Sequence, residues 1–94
     1  MAIRYSNHLL VRLKMRGIPY ELPRIVYQNA IRRFLDTQSD LFIAVLRTAY
    51  FGKRHEVAVV YRKDAGDILL ITIHPLKSNQ LTNRTRSGRW KEIS

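Results

Sequence analysis

Apolar positions in the first third of the chain recur at helical spacing; beyond it they alternate, as in strands. Between Tyr5 and Ile18, Leu9, Leu10 and Leu13 form one apolar stripe. His8, Arg12 and Arg16 stand four apart and form a second stripe beside it. Ser6 is a good N-cap, because its hydroxyl can accept a bond from a backbone N–H that the first turn leaves free. Gly17 is a good stop, because it tolerates the left-handed conformation that closes a helix. The pattern predicts a helix over residues 5–17. Ile18-Pro19 then opens a second one, since proline fits a first turn and pushes the residue before it out of the helical region. Glu21 suits the positive end of that helix, and Leu22, Ile25, Val26 and Ala30 continue it to about residue 30.

From Ile31 the period changes. Ile31–Thr37 reads as a strand, although Arg32 and Arg33 fit the last turn of the helix equally well. Gln38-Ser39-Asp40 reads as a turn and Leu41–Phe51 as a strand. Gly52-Lys53 is a hairpin turn, Glu56–Lys63 the next strand, and Asp64–Asp67 the next turn. Ile68–His74 is the last strand, stopped by Pro75. Two helices followed by a meander give an α+β domain, with both helices on one face of a three- to four-stranded antiparallel sheet. Alternation assigns Leu69, Ile71 and Ile73 to the core, and Leu70, Thr72 and His74 to the other face. Likewise Val57, Val59 and Tyr61 face the core, and Arg54, Glu56, Ala58, Val60 and Arg62 an open face. Leu41–Phe51 is mostly apolar on both faces, as in a central strand, and alternation does not decide its orientation. Residues 1–77 form the compact domain; residues 78–94 form a basic, partly mobile tail with Trp90 as its anchor.

Charge sharpens this outline. The 94 residues carry a net charge of +10. Residues 1–39 hold +5, residues 40–75 only +1, and residues 76–94 +4. Excess charge at the two ends attracts polyanions: nucleic acid, an anionic membrane surface or an acidic protein. There is no cysteine, which excludes disulfides and thiolate chemistry and fits a reducing, cytoplasmic setting. No run approaches signal-peptide or membrane-span length, so no membrane association is expected.

The chemistry on offer is narrow. His8, His55 and His74 are scattered, no carboxylate stands near them at ligand spacing, and there is no phosphate loop. No metal or cofactor is therefore expected. What remains is imidazole, guanidinium, ammonium and phenol. Those groups suit metal-independent RNA cleavage, in which the ribose 2′-OH attacks the adjacent phosphate. A His or Tyr moves the proton, and Arg or Lys stabilises the added charge. Tyr61 falls on the core face, where packing is its ordinary role. Trp90, between Arg86, Arg89 and Lys91, suits base stacking or packing equally.

Tyr5-Ser6, His8, Arg12 and Arg16-Gly17-Ile18 fit the pattern Y/F-S-x-H-x-x-x-R-x-x-x-R-G-I. With Val57–Tyr61, Ile71-Thr72-Ile73-His74-Pro75 and Arg86-Ser87-Gly88-Arg89-Trp90, the chain from residue 5 to about 91 resembles a family of small bacterial and archaeal proteins. That family is grouped with the RelE-like and BrnT-like toxins of toxin–antitoxin pairs. One departure is Ile18-Pro19-Tyr20, where the family has a Ser/Thr-type cap before its second helix. The resemblance implies a RelE-like or barnase-like fold and a ribonuclease toxin held inactive by a small acidic antitoxin. It places His8, Arg12, Arg16, Thr72 and His74 at the catalytic centre. Arg62, Lys77, Arg84, Arg86, Arg89 and Trp90 are expected to bind RNA. The rival expectation is a non-catalytic nucleic-acid-binding or regulatory protein using the same surface.

Overall fold

Four consecutive strands form the centre of the molecule in a computed structural model that describes residues 1–93. They are β2 (Arg32–Asp36), β3 (Phe42–Tyr50), β4 (Lys53–Asp64) and β5 (Asp67–Pro75), each antiparallel to the next. Ahead of them come β1 (Ile3–Tyr5), α1 (Asn7–Arg16) and α2 (Leu22–Asn29); after them come α3 (Gln80–Arg86) and β6 (Trp90–Glu92). The sheet order is β1-β5-β4-β3-β2-β6.

The α+β class holds, but two helices on a three- to four-stranded antiparallel sheet is corrected to three helices and a six-stranded mixed sheet among the described residues. The two added strands are three residues each and sit on opposite edges. β1 pairs in parallel with Ile68–Leu70, and β6 pairs antiparallel with Phe34–Asp36. Residues 1–4 fit either an edge strand or a disordered lead by sequence, and β1 takes the first of these; β6 is as short, with its partner more than fifty residues away, so local pattern did not reveal it. The basic stretch from residue 78 contributes α3 and β6. The Arg33 carbonyl also accepts from Ile93 N–H, and Arg89 O from Thr37 N–H.

α1 begins and ends where its sequence signals stand. Ser6 accepts from Leu9 N–H at 3.0 Å, and Gly17 closes the helix at φ +64°. Leu9 and Leu13 are buried, but Leu10 is 40% exposed, so the apolar stripe is narrower than predicted. Leu9 and Leu13 are one turn apart, and Leu10 lies about 100° round from Leu9, off the sheet. α2 has no side-chain cap at Glu21, and Pro23 stands in its first turn. Tyr5 takes over the capping role: its hydroxyl donates to Tyr20 O at 2.7 Å and accepts from Arg24 N–H at 3.2 Å. Val26 is buried while Ile25 is exposed.

Both sheet faces carry a core. Leu9, Leu13, Val26, Val57, Val59, Tyr61, Leu70 and Ile73 pack under α1 and α2. Phe34, Ile43, Val45, Ala58, Leu76, Leu81 and Trp90 form a second cluster under α3. The face expected to lie open is therefore covered over part of its area. The first half of β3 is buried on both sides, Ala44 toward α1 and α2 and Ile43 and Val45 toward α3, which explains the apolar run Phe42–Leu46; Arg47 and Ala49 beyond it are exposed.

The assignment of β5 is corrected at one point. Val60 pairs with Thr72 and Tyr61 with Leu70, leaving Ile71 unopposed. That β-bulge shifts the alternation by one, so Ile73 faces the α1/α2 core as expected, but there Ile68 and Leu70 replace Leu69 and Ile71.

Candidate functional site

The bulge also docks α1. Ser6 N–H donates to Leu70 O at 2.9 Å, and its hydroxyl donates to Ile71 O at 3.0 Å. One side chain thus caps α1 and ties the start of that helix to the unopposed residue of β5. β1 pairs with β5 only as far as Leu70, so α1 begins at the edge where β1 stops. This brings the basic stripe of α1 beside the last residues of β5.

His74 stands there, opposite Ala58, and Thr72 stands opposite Val60, so both lie on the α3 face. Both are half-buried. Burial pushes the His74 imidazole below its ordinary value, and the Arg12 and Arg84 guanidiniums push it further the same way. Arg12 comes from α1 and Arg84 from α3, so two elements far apart in sequence each bring a guanidinium close enough for its charge to act on the His74 imidazole. Neither arginine is in an ion pair among the described residues. Arg12 Nε is buried without a hydrogen-bond partner there. Cations near an imidazole that have no ion-paired carboxylate among the described residues attract anions. His8 and Arg16 continue the α1 stripe; with Val11, Arg12 and Met15 they line a shallow depression on its outer side. Met15 and Val11 are exposed there, and Leu10 is exposed elsewhere on α1.

Other expected residues lie elsewhere. Arg62 is on the α3 face but four residues along β4 from Ala58, roughly 13 Å away, with Asp64 4.0 Å from its guanidinium. Arg89 Nε sits 3.4 Å from Asp36, the buried acid of β2. Burial pushes that carboxyl up, but Gln38 N–H, Ser39 N–H, the Arg89 guanidinium and the Trp90 indole outweigh it and hold Asp36 below its ordinary value. Trp90 is 5% exposed, 5.7 Å from the Phe34 ring, and is not available to a base. Arg84 lies over the outer side of the Trp90 ring at 5.9 Å. Arg86 and Lys77 are exposed. Tyr61 is buried on the opposite face, where its hydroxyl accepts from Arg33 at 3.3 Å.

Arg47 and Arg54 were not singled out in the sequence. They line a shallow trough with Lys77, reaching from the β3–β4 hairpin to the loop after β5. Their cross-strand pairing with Glu56 and Ala49 sets both on the α3 face. The alternation that placed Arg54 beside Arg62 was the available signal.

Among the described residues, no group of three His, Asp or Glu side chains is placed to hold a metal ion. No helix is long and apolar enough to cross a membrane. No family model, curated protein or solved structure matches the chain.

Proposed function

We propose that this protein is a metal-independent RNA endonuclease of the toxin type, acting in the cytoplasm and restrained by a small acidic partner. The observation that carries the reading is the meeting of His74 with Arg12 and Arg84, cations free of acidic partners. A depressed imidazole is neutral at pH 7 and can accept a proton. In this reading His74 takes the proton of the ribose 2′-OH as that oxygen attacks the adjacent phosphorus. The bond from phosphorus to the 5′-oxygen breaks, and the leaving oxygen takes a proton from His8 or water. The products are a 2′,3′-cyclic phosphate and a 5′-hydroxyl. Arg12 and Arg84 stabilise the pentacoordinate charge, and preorganised cations do this best in a partly desolvated site. The exposed Leu10, Val11 and Met15 among the cations of α1 suit an acidic partner with apolar side chains.

Purified protein incubated with RNA in EDTA should yield cyclic-phosphate ends, and a substrate with 2′-deoxyribose at the cut should resist. His74→Ala should lower the rate about 10²- to 10⁴-fold with binding nearly intact. Arg12→Ala should weaken binding and rate together. Protein that retards RNA in a gel but cuts none, with or without ribosomes, would replace this reading with a non-catalytic nucleic-acid-binding protein.

A further inference from the structure

In the cleavage reading the His74 centre takes one phosphate, yet the cations without acidic partners extend well beyond it. Arg84 also lines a depression with Lys77, Ser78, Asn83 and Ser87. Lys77 and Ser78 in turn line the trough that reaches Arg47 and Arg54. The two depressions share those two residues, so they form one continuous path across the α3 face. It starts at Arg84, one of the two guanidiniums whose charge acts on His74, and ends at the β3–β4 hairpin. None of Lys77, Arg47 and Arg54 is in an ion pair among the described residues. Glu56 is the one acid along the trough.

We infer that this path is a single-strand RNA track, carrying the nucleotides on one side of the scissile phosphate away from His74. The inference rests on the cleavage reading for its direction, but its binding claim is separately measurable. Its length follows from the register. His74 stands opposite Ala58, and Arg54 is four residues further along β4, roughly 13 Å at strand rise. At the rise of a nucleic-acid strand that distance spans about two to four nucleotides, depending on how far the bases unstack. The lining favours nucleic acid over an acidic protein. By residue the path is lined mainly by cations and polar groups, with His55 and the single acid Glu56 among them and Pro75 and the buried Leu76 as its apolar members.

The test uses the full chain and fluorescent 2′-O-methyl oligoribonucleotides, which cannot be cleaved, of 2, 4, 6, 8 and 12 nucleotides. Anisotropy titrations should show affinity rising with length and levelling at about four to six nucleotides, the track's two to four plus the dinucleotide at His74. The double variant Arg47→Ala, Arg54→Ala should bind the 8-mer about tenfold more weakly and the 2-mer unchanged. Its salt slope for the 8-mer should be shallower by about 1.4, since two phosphate contacts at about 0.7 each are lost. The double lysine variant should restore most of the affinity, which separates lost charge from lost folding. Equal binding of the 8-mer by wild type and the alanine variant would overturn the track, as would affinity independent of length. So would oligonucleotides that fail to bind while polyglutamate binds and is released by the double alanine variant. Length-dependent binding without any cleavage of unmodified RNA would leave the track standing and remove the nuclease reading; cleavage without length dependence would do the reverse.

Discussion

The two faces of the sheet are closed to different degrees, and their chemistry differs accordingly. Under α1 and α2, Leu9, Val26, Val57, Val59, Leu70 and Ile73 have no exposed surface at all. Cations that enter this side are absorbed by the fold: Arg33 donates to Tyr27 O and stacks on the Tyr27 ring at 4.6 Å. The other face is roofed by one seven-residue helix, α3, whose buried anchor is Leu81. Phe34, Ile43, Val45 and Trp90 fill the part near β2 and β6. Over β4 and β5 the roof stops, and Thr72, His74 and Arg62 keep contact with solvent. Stability is thus concentrated on one face, while the groups able to meet an anion collect on the other. A residue's face should therefore predict whether its loss is felt in folding or in binding.

The largest test of that division is on the closed face. Leu9→Ala removes a side chain with no exposed surface and should cost about 2–5 kcal/mol in urea unfolding. Leu10→Ala, on the same turn but 40% exposed, should stay within about 1 kcal/mol. Similar losses from the two would show that α1 is rotated from its described orientation. Neither change should alter RNA affinity at temperatures where the protein stays folded.

This contrast also marks what could be read in advance. α1 was legible because its signals are local: Ser6 and Gly17 delimit it, and Leu9 and Leu13 repeat within one turn. The hairpins β3–β4 and β4–β5 were legible for the same reason, since neighbouring strands joined by short turns announce themselves by alternation. The misreadings came where pairing is non-local or irregular. One extra residue at Ile71 inverted the face of Leu69 and Leu70. β1 and β6 are too short to alternate, and α3 lies in a polar run with Leu81 as its buried apolar residue. The candidate site divides likewise. His8, Arg12 and Arg16 were visible as a helical stripe, but the approach of Arg12 and Arg84 to His74 depends on how α1 and α3 flank β5, and His8 and Arg16 stay with the depression on α1. Trp90 and Arg89 looked like ligand residues because a basic, aromatic stretch reads the same whether it faces solvent or packs on Phe34 and Asp36.

An intermediate effect is expected at the far edge of the α3 face, where Asp36 holds the end of the chain. Its carboxylate accepts Gln38 N–H at 2.9 Å and Ser39 N–H at 3.3 Å, and lies 3.4 Å from Arg89 Nε. Asp36→Ala leaves those donors and a guanidinium without their acceptor and should cost about 1–3 kcal/mol. The folded carboxyl ionises below its ordinary value of 3.8, so its contribution is present above that pH. It is lost as pH falls through the lower folded value. Thermal melts between pH 2.5 and 5 should therefore be steeper in pH for the wild type than for Asp36→Asn. Equal steepness would show that Asp36 is not ionised in the folded protein.

The smallest effect, and the sharpest for the comparison, concerns His74. Its folded value lies below the ordinary 6.5, because burial and the Arg12 and Arg84 guanidiniums all disfavour the imidazolium. Between the two values the unfolded chain binds more protons than the folded one, so stability rises with pH across that window and is lost as pH falls below about 6.5. One proton sets the ceiling at about 1.4 kcal/mol per pH unit. An anion seated between Arg12 and Arg84 reverses the argument, since its charge favours the imidazolium and draws the folded value back up. Melting temperatures from pH 5 to 7.5 should show the slope in the free protein and its flattening with a non-cleavable 2′-O-methyl dinucleotide. His74→Gln should remove the slope without the ligand. A slope that persists in that variant would assign it to groups elsewhere. A slope unchanged by the dinucleotide in the wild type would mean that no anion reaches His74, and the division of labour between the two faces would lose its chemical half.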